Sequence, residues 1–246
     1  MRLSNWAAIC KIDAANKPQF SQYRHLTRRG RKSAWLAVGT LALLASAKTV
    51  IAEQGSDVAL KRFGSGNPAI GKQKADAERC LECHGTDGNS GDARIPNHAG
   101  QFAGYLMKQL DNFQGGERQH GTMTVMAADL GEADKADIAA YFASQKIMQG
   151  SSIGHYPLAE KLFADGDQAR EIPACASCHG ESGKGKIADN VIYPVIGGQR
   201  KVYLRTQLVN WKLGDRKNSP QAAMNKVAKS LSDDEIEALA NYISGL

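Results

Sequence analysis

Five cysteines stand in this chain of 246 residues, and four of them fall into two matching patterns. Cys80-Leu81-Glu82-Cys83-His84-Gly85 and Cys175-Ala176-Ser177-Cys178-His179-Gly180 each set two thiols three residues apart with an imidazole directly behind. On one helical turn such thiols lie on a common side, so both can form thioether bonds along one edge of a porphyrin. The adjacent His is then placed to bind the iron from one side. Other chemistries fit less well. A zinc site needs four ligands gathered from nearby Cys and His, and neither copy has a second Cys pair. A redox-active dithiol belongs with a βαβ pattern, and no alternating strand run accompanies either motif. Cys10 lies far upstream, so no cysteine is left for a conventional disulfide. The pattern points to two haem c groups, attached through Cys80, Cys83, Cys175 and Cys178, with His84 and His179 on the irons.

The ligand on the far side of each iron decides what the iron does. A closed, Met-ligated haem suits electron transfer at raised potential; an open one binds gas or peroxide. Met123 and Met224 are the candidates, each seven residues before a Leu that opens the last helix of its copy, in stretches read as loops free to reach the iron. Met224 is the only Met of the second copy. Near Met123, Met126 and His120 compete, but their counterparts are Val227 and Gln221, which cannot play the same part. His98, matched by Ile196, and His155 read as surface or packing residues.

What positions these residues is a duplication. The Cys motif returns after 95 residues. Pro96, Gly100, Gln101, Tyr105, Gln109, Leu110, Asn112 and Arg118 return after 98, as Pro194, Gly198, Gln199, Tyr203, Gln207, Leu208, Asn210 and Arg216. Met123, Ala127, Leu130 and Tyr141 return after 101, as Met224, Ala228, Leu231 and Tyr242. An offset that grows only in Gly-rich or polar loops marks two copies of one domain. Apolar spacing predicts helices over 70–79, 102–113 and 132–144, and over 157–163, 202–211 and 233–244. Ser232 and Glu235 form a capping box for the last of these. The expected fold is all-α, two tandem haem-binding domains over 53–149 and 157–246 with a linker at 150–156. Within each, the Pro96 and Pro194 carbonyls are placed to accept a hydrogen bond from the proximal imidazole, and Tyr105, Tyr203, Arg118 and Arg216 to bind propionates. Phe113 and Trp211 are expected against the porphyrin.

The formal net charge of +6 does not signal a nucleic-acid partner. Residues 1–52 hold nine of the 31 Lys and Arg and one of the 25 acidic residues, so the remainder is slightly acidic. This first stretch reads as an export leader: Arg28, Arg29, Arg31 and Lys32 precede the apolar run from Ala34 to Ala47, and small residues follow before Glu53. The run is shorter than the roughly 20 residues a membrane-spanning helix needs, though an uncleaved leader would tether the protein to a membrane.

With both Cys-x-x-Cys-His-Gly segments and the two methionines placed, residues 67–246 resemble cytochrome c4, a family of periplasmic dihaem cytochromes built from two class I cytochrome c domains. Asp87-Gly88-Asn89-Ser90, the two Gly-Gln pairs and Leu231-Ser232-Asp233 carry the likeness further. Gly131-Glu132-Ala133, where the second copy has Ser232-Asp233, departs from it. The resemblance implies His84 with Met123 and His179 with Met224 as iron ligands. It also implies an electron carrier rather than an enzyme, working in the periplasm of a Gram-negative bacterium. Its partners would be other redox proteins: a cytochrome bc1-type complex or a dehydrogenase as donor, a terminal oxidase as acceptor.

Overall fold

The computed structural model describes residues 57–151 and 154–246, so the expected leader lies outside the described residues, as does part of the expected linker. Two helical halves follow one another. The first holds α1 (Pro68–Ala77), α2 (Cys80–His84), α3 (Ala103–Gly115), α4 (Gly121–Ala127) and α5 (Glu132–Ser144). The second holds α6 (Pro157–Ala164), α7 (Cys175–His179), α8 (Lys201–Leu213), α9 (Ala223–Ser230) and α10 (Asp233–Gly245). Among the described residues no helix is long and apolar enough to cross a membrane.

Local chemistry explains the boundaries. Asn67 turns its side-chain oxygen onto the amides of Ala69 and Ile70, at 2.9 and 3.3 Å, and Pro68 takes the first position, where no N–H is needed. α1 then crosses α5 so closely that a Cβ on Gly71 would stand 1.9 Å from the Asp137 carbonyl oxygen. Lys74 on α1 locks the crossing with ion pairs to Asp134 and Asp137 at 2.6 and 2.8 Å. α10 begins on a complete capping box: the Ser232 hydroxyl accepts from the Glu235 amide at 3.1 Å, and the Glu235 carboxylate accepts from the Ser232 amide at 2.8 Å. α5 has only half of one, because Gly131 lacks the hydroxyl and merely donates its amide to Asp134 at 3.2 Å.

Each half has its own apolar core. Leu81, Leu106, Leu130, Ile138, Tyr141 and Phe142 fill the first, and Leu162, Phe163, Leu204, Leu208, Ile236 and Leu239 the second. Burying a side chain of this size contributes roughly 1.5–3 kcal/mol, and neither core is large. Both halves belong to one compact unit, and a third cluster of Ala99, Phe102, Met148 and Val195 lies between them.

Two features differ from the sequence expectation. The stretches carrying Met123 and Met224 are short helices, α4 and α9, not loops. The His120 ring nitrogen accepts from the Met123 amide at 3.3 Å and starts α4, while the Ser219 hydroxyl accepts from the Met224 amide at 3.2 Å near the start of α9. There is also a small antiparallel hairpin, β1 (Lys186–Ala188) against β2 (Val191–Tyr193). Its turn residues Asp189 and Asn190 both sit in the left-handed region, with φ of 49° and 62°, which suits the twist of a tight hairpin.

Candidate functional site

The two Cys motifs adopt the same geometry. Each forms a single turn of helix, α2 or α7, ended by a glycine at φ 81°, Gly85 or Gly180. None of the four cysteines is in a disulfide. Cys80 and Cys175 are partly covered, and burial pushes both thiols up to about 11. Cys83 is exposed.

Behind each pair the imidazole is held by one carbonyl. His84 Nδ1 lies 3.0 Å from the Pro96 oxygen and His179 Nδ1 lies 2.9 Å from the Pro194 oxygen. A carbonyl only accepts, so Nδ1 carries the proton in both rings and Nε2 keeps its lone pair. Burial lowers the pKa of both, outweighing the carbonyl's opposite pull, and favours the neutral form. A neutral ring with fixed tautomer and orientation is what iron ligation requires.

Two arginines converge between the halves. Arg118 donates to Gln109 at 2.8 Å in its own half, and to Gln207 and the Tyr203 hydroxyl across the interface at 3.0 and 3.1 Å. Arg216 mirrors this, bonding Gln207 at 2.8 Å in its own half, with Gln109 and the Tyr105 hydroxyl across at 3.1 and 3.2 Å. Phe113 lies under Arg118 and Trp211 under Arg216, at 4.7 and 4.2 Å from guanidinium carbon to ring centre. Lys108 joins them, bonding Asn112 and the Asn218 carbonyl. Burial and the two guanidiniums lower its pKa. Burial alone would raise the Tyr203 phenol, yet the two guanidiniums outweigh it and hold the phenol below its ordinary value.

This cluster tests the fit of a haem. Neither guanidinium meets a carboxylate among the described residues; their partners are amides and phenols. Buried charge without a counter-ion is costly, and the Trp211 indole Nε1 is buried with no acceptor among the described residues. Haem propionates would supply the missing carboxylates. The residues present fit propionate-bearing cofactors.

Among the described residues no three His, Cys, Asp or Glu side chains gather as a metal cage. Met123 is half-buried on α4, and Met224 packs against the second core from α9. His120 has its Nδ1 committed to starting α4. Met148 is core at 1% exposure between the halves. His155 is exposed beside Glu160. His98 packs, as expected of it, but its neighbour is the His84 ring itself, with ring centres stacked 4.1 Å apart. Sequence reasoning had no signal for this contact, because the repeat matches His98 with an aliphatic Ile196.

Comparison with known proteins agrees with this geometry. A cytochrome c family model matches residues 159–246. Cytochrome c4 of Pseudomonas aeruginosa is 39% identical over 184 residues, covering 74% of this chain and 90% of that protein. The chain belongs to the cytochrome c4 family. Its structure superposes on crystalline reduced cytochrome c4 from Pseudomonas stutzeri with a TM-score of 0.68 at 37% identity, over 74% of this chain and all of the other. A Stutzerimonas stutzeri protein described as a thiosulfate dehydrogenase electron acceptor is 35% identical over 217 residues, covering 86% of this chain and 94% of its own. As a cytochrome c4, the chain has the all-α class I cytochrome c fold, carries two covalently bound haem c groups and acts in electron transfer.

Proposed function

We propose that this cytochrome c4 is a periplasmic carrier of up to two electrons, with Cys80, Cys83, His84 and Met123 holding one haem and Cys175, Cys178, His179 and Met224 the other. The observation that carries the reading is the pairing of two matched imidazoles, each fixed by a proline carbonyl, with one shared cluster of cations between the halves. The cofactor supplies a one-electron ferric–ferrous couple when bound. The chain supplies the rest. The Pro96 and Pro194 carbonyls keep each ring in one tautomer through the cycle, so little reorganisation accompanies transfer. Met123 and Met224 would complete the iron ligands and leave no position open to a substrate, and Arg118 and Arg216 would hold propionates in one hydrogen-bonded frame.

An export leader over residues 1–52 places the carrier in the periplasm, tethered to a membrane if it stays uncleaved. Its donor is a cytochrome bc1-type complex or a dehydrogenase, and its acceptor a terminal oxidase. The relative named as an electron acceptor of thiosulfate dehydrogenase favours a thiosulfate dehydrogenase as one such donor. Redox titration of the purified holoprotein, followed by its visible spectrum and repeated with carbon monoxide on the reduced form, tests the reading. Two high-potential one-electron steps without carbon monoxide binding support a carrier. A haem that takes carbon monoxide readily overturns the ligand set and favours a dihaem peroxidase or thiosulfate-oxidising enzyme.

A further inference from the structure

The two halves repeat the backbone around the proximal imidazole but not the side chain that lies against it. In the first half the His98 and Ala99 amides both donate to the Gly88 carbonyl, at 2.7 and 3.0 Å. In the second, the Ile196 and Gly197 amides donate to the Gly183 carbonyl at 2.8 and 2.9 Å. Gly88 and Gly183 both turn through the left-handed region, with φ of 78° and 63°. The scaffold is therefore the same, and what it presents differs. His98 stacks on His84 with ring centres 4.1 Å apart and planes inclined by 29°. Phe142 meets both rings edge-on, at 5.3 Å from His98 and 6.3 Å from His84. The corresponding positions of the second half hold Ile196, packed against its apolar core, and Ile243, within it.

We propose that His98 is a positioning residue for the first proximal ligand, and that its polar ring lowers the reduction potential of the first haem below the value an aliphatic neighbour would give. The inference rests on His84 and His179 being the proximal ligands. Its physical basis is local polarity. The ferric site carries one more positive charge than the ferrous, so a polarisable imidazole against its ligand favours the ferric state. Isoleucine offers no such stabilisation. The stack also clamps the face of the His84 ring, which the Pro96 bond alone leaves free to rock. Because the difference lies in a side chain on a shared backbone, exchanging that side chain tests it directly.

The experiment is spectroelectrochemical titration of the full holoprotein, comparing the unsubstituted chain with His98→Ile and Ile196→His. His98→Ile is expected to raise the ferrous-to-ferric ratio of one haem about tenfold at a fixed applied potential, ~59 mV for a one-electron couple, and to leave the other step unmoved. Ile196→His is expected to lower the other step by a similar factor. The second variant decides alone if the first fails to load haem. Steps that stay put in the variant that decides, or two steps that move together in either variant, overturn the proposal. An unsubstituted protein without two Met-closed steps instead overturns the ligand assignment on which it rests, so the two failures are told apart.

Discussion

A single carbonyl does much of the chemistry at each site. Proline at 96 and 194 offers an acceptor and no donor, so the hydrogen bond fixes which imidazole nitrogen is free. The sequence made this legible because Pro and His recur together in both copies. It did not make His98 legible, since that residue differs between the copies and a repeat reveals only what is shared. The methionines are an intermediate case. Their equivalence is plain from the offset, while their helical setting depends on caps such as the His120 ring, which propensity does not anticipate. Met123 and Met126 both lie on α4, three residues apart, and the proposal separates them sharply. Met123→Leu is expected to yield a reduced protein that binds one carbon monoxide per chain and shows one markedly lowered potential. Met126→Leu is expected to bind none and to shift neither step. Gas titration monitored by visible absorbance distinguishes the two, and the reverse result would transfer the ligand role to Met126.

Among the elements, the long helices were the easiest to read. Apolar spacing and Ser232 located α10, and the same periodicity placed α5, whose bounds agree with the expected 132–144. The β1–β2 hairpin escaped notice because each strand is only three residues long and its signal is the left-handed pair Asp189-Asn190 rather than any alternation. The unequal caps of α5 and α10 give a stability test. Ser232→Ala removes one acceptor from an exposed helix start and is expected to cost about 1 kcal/mol. Gly131→Ser supplies the missing acceptor at φ −72°, a conformation serine adopts freely, and is expected to stabilise by a few tenths of a kcal/mol. Thermal unfolding of the two holoproteins followed by circular dichroism should move in opposite directions. Acid acts on the same helix starts. The Arg170 guanidinium holds Glu235 below the usual carboxylate range, and Lys74 does the same for Asp134 and Asp137. Folded values below the unfolded ones mean stabilisation that is present above the ordinary carboxylate pKa of ~4 and lost as pH falls through the depressed values. Glu235→Gln should therefore unfold at a lower temperature than the parent at pH 7, and the gap should narrow as pH falls below the ordinary carboxylate range.

At the scale of the whole molecule, the duplication and the interface are one fact seen twice. The residues repeated at an offset of 98 are largely those that face the other half across a local two-fold. Gln101 exchanges two hydrogen bonds with the backbone of Val195, at 2.9 and 3.0 Å, and Gln199 exchanges two with the backbone of Asn97, at 2.7 and 2.9 Å. Asn97 and Val195 are themselves 98 residues apart, so each glutamine pairs with the position equivalent to its twin's partner, as in an isologous dimer. Gly100 and Gly198 precede the glutamines because the connecting chain runs against them: a Cβ would stand 2.4 Å from Ile147 Cα and 2.6 Å from the carbonyl carbon of Gln149. The repeat showed that these residues matter but not to whom, since self-comparison cannot tell a contact within a copy from one between copies. Gln199→Leu keeps the bulk and removes both hydrogen bonds, stranding a buried amide and a buried carbonyl on Asn97. Each unsatisfied group costs roughly 1–3 kcal/mol. The expected outcome is a protein that still attaches both haems through intact Cys motifs, yet whose single unfolding transition resolves into two as the halves come apart. Denaturant titration read at the haem absorbance and by circular dichroism follows both, and a single transition at the parent midpoint would mean that the Gln199 bonds are not what joins the halves.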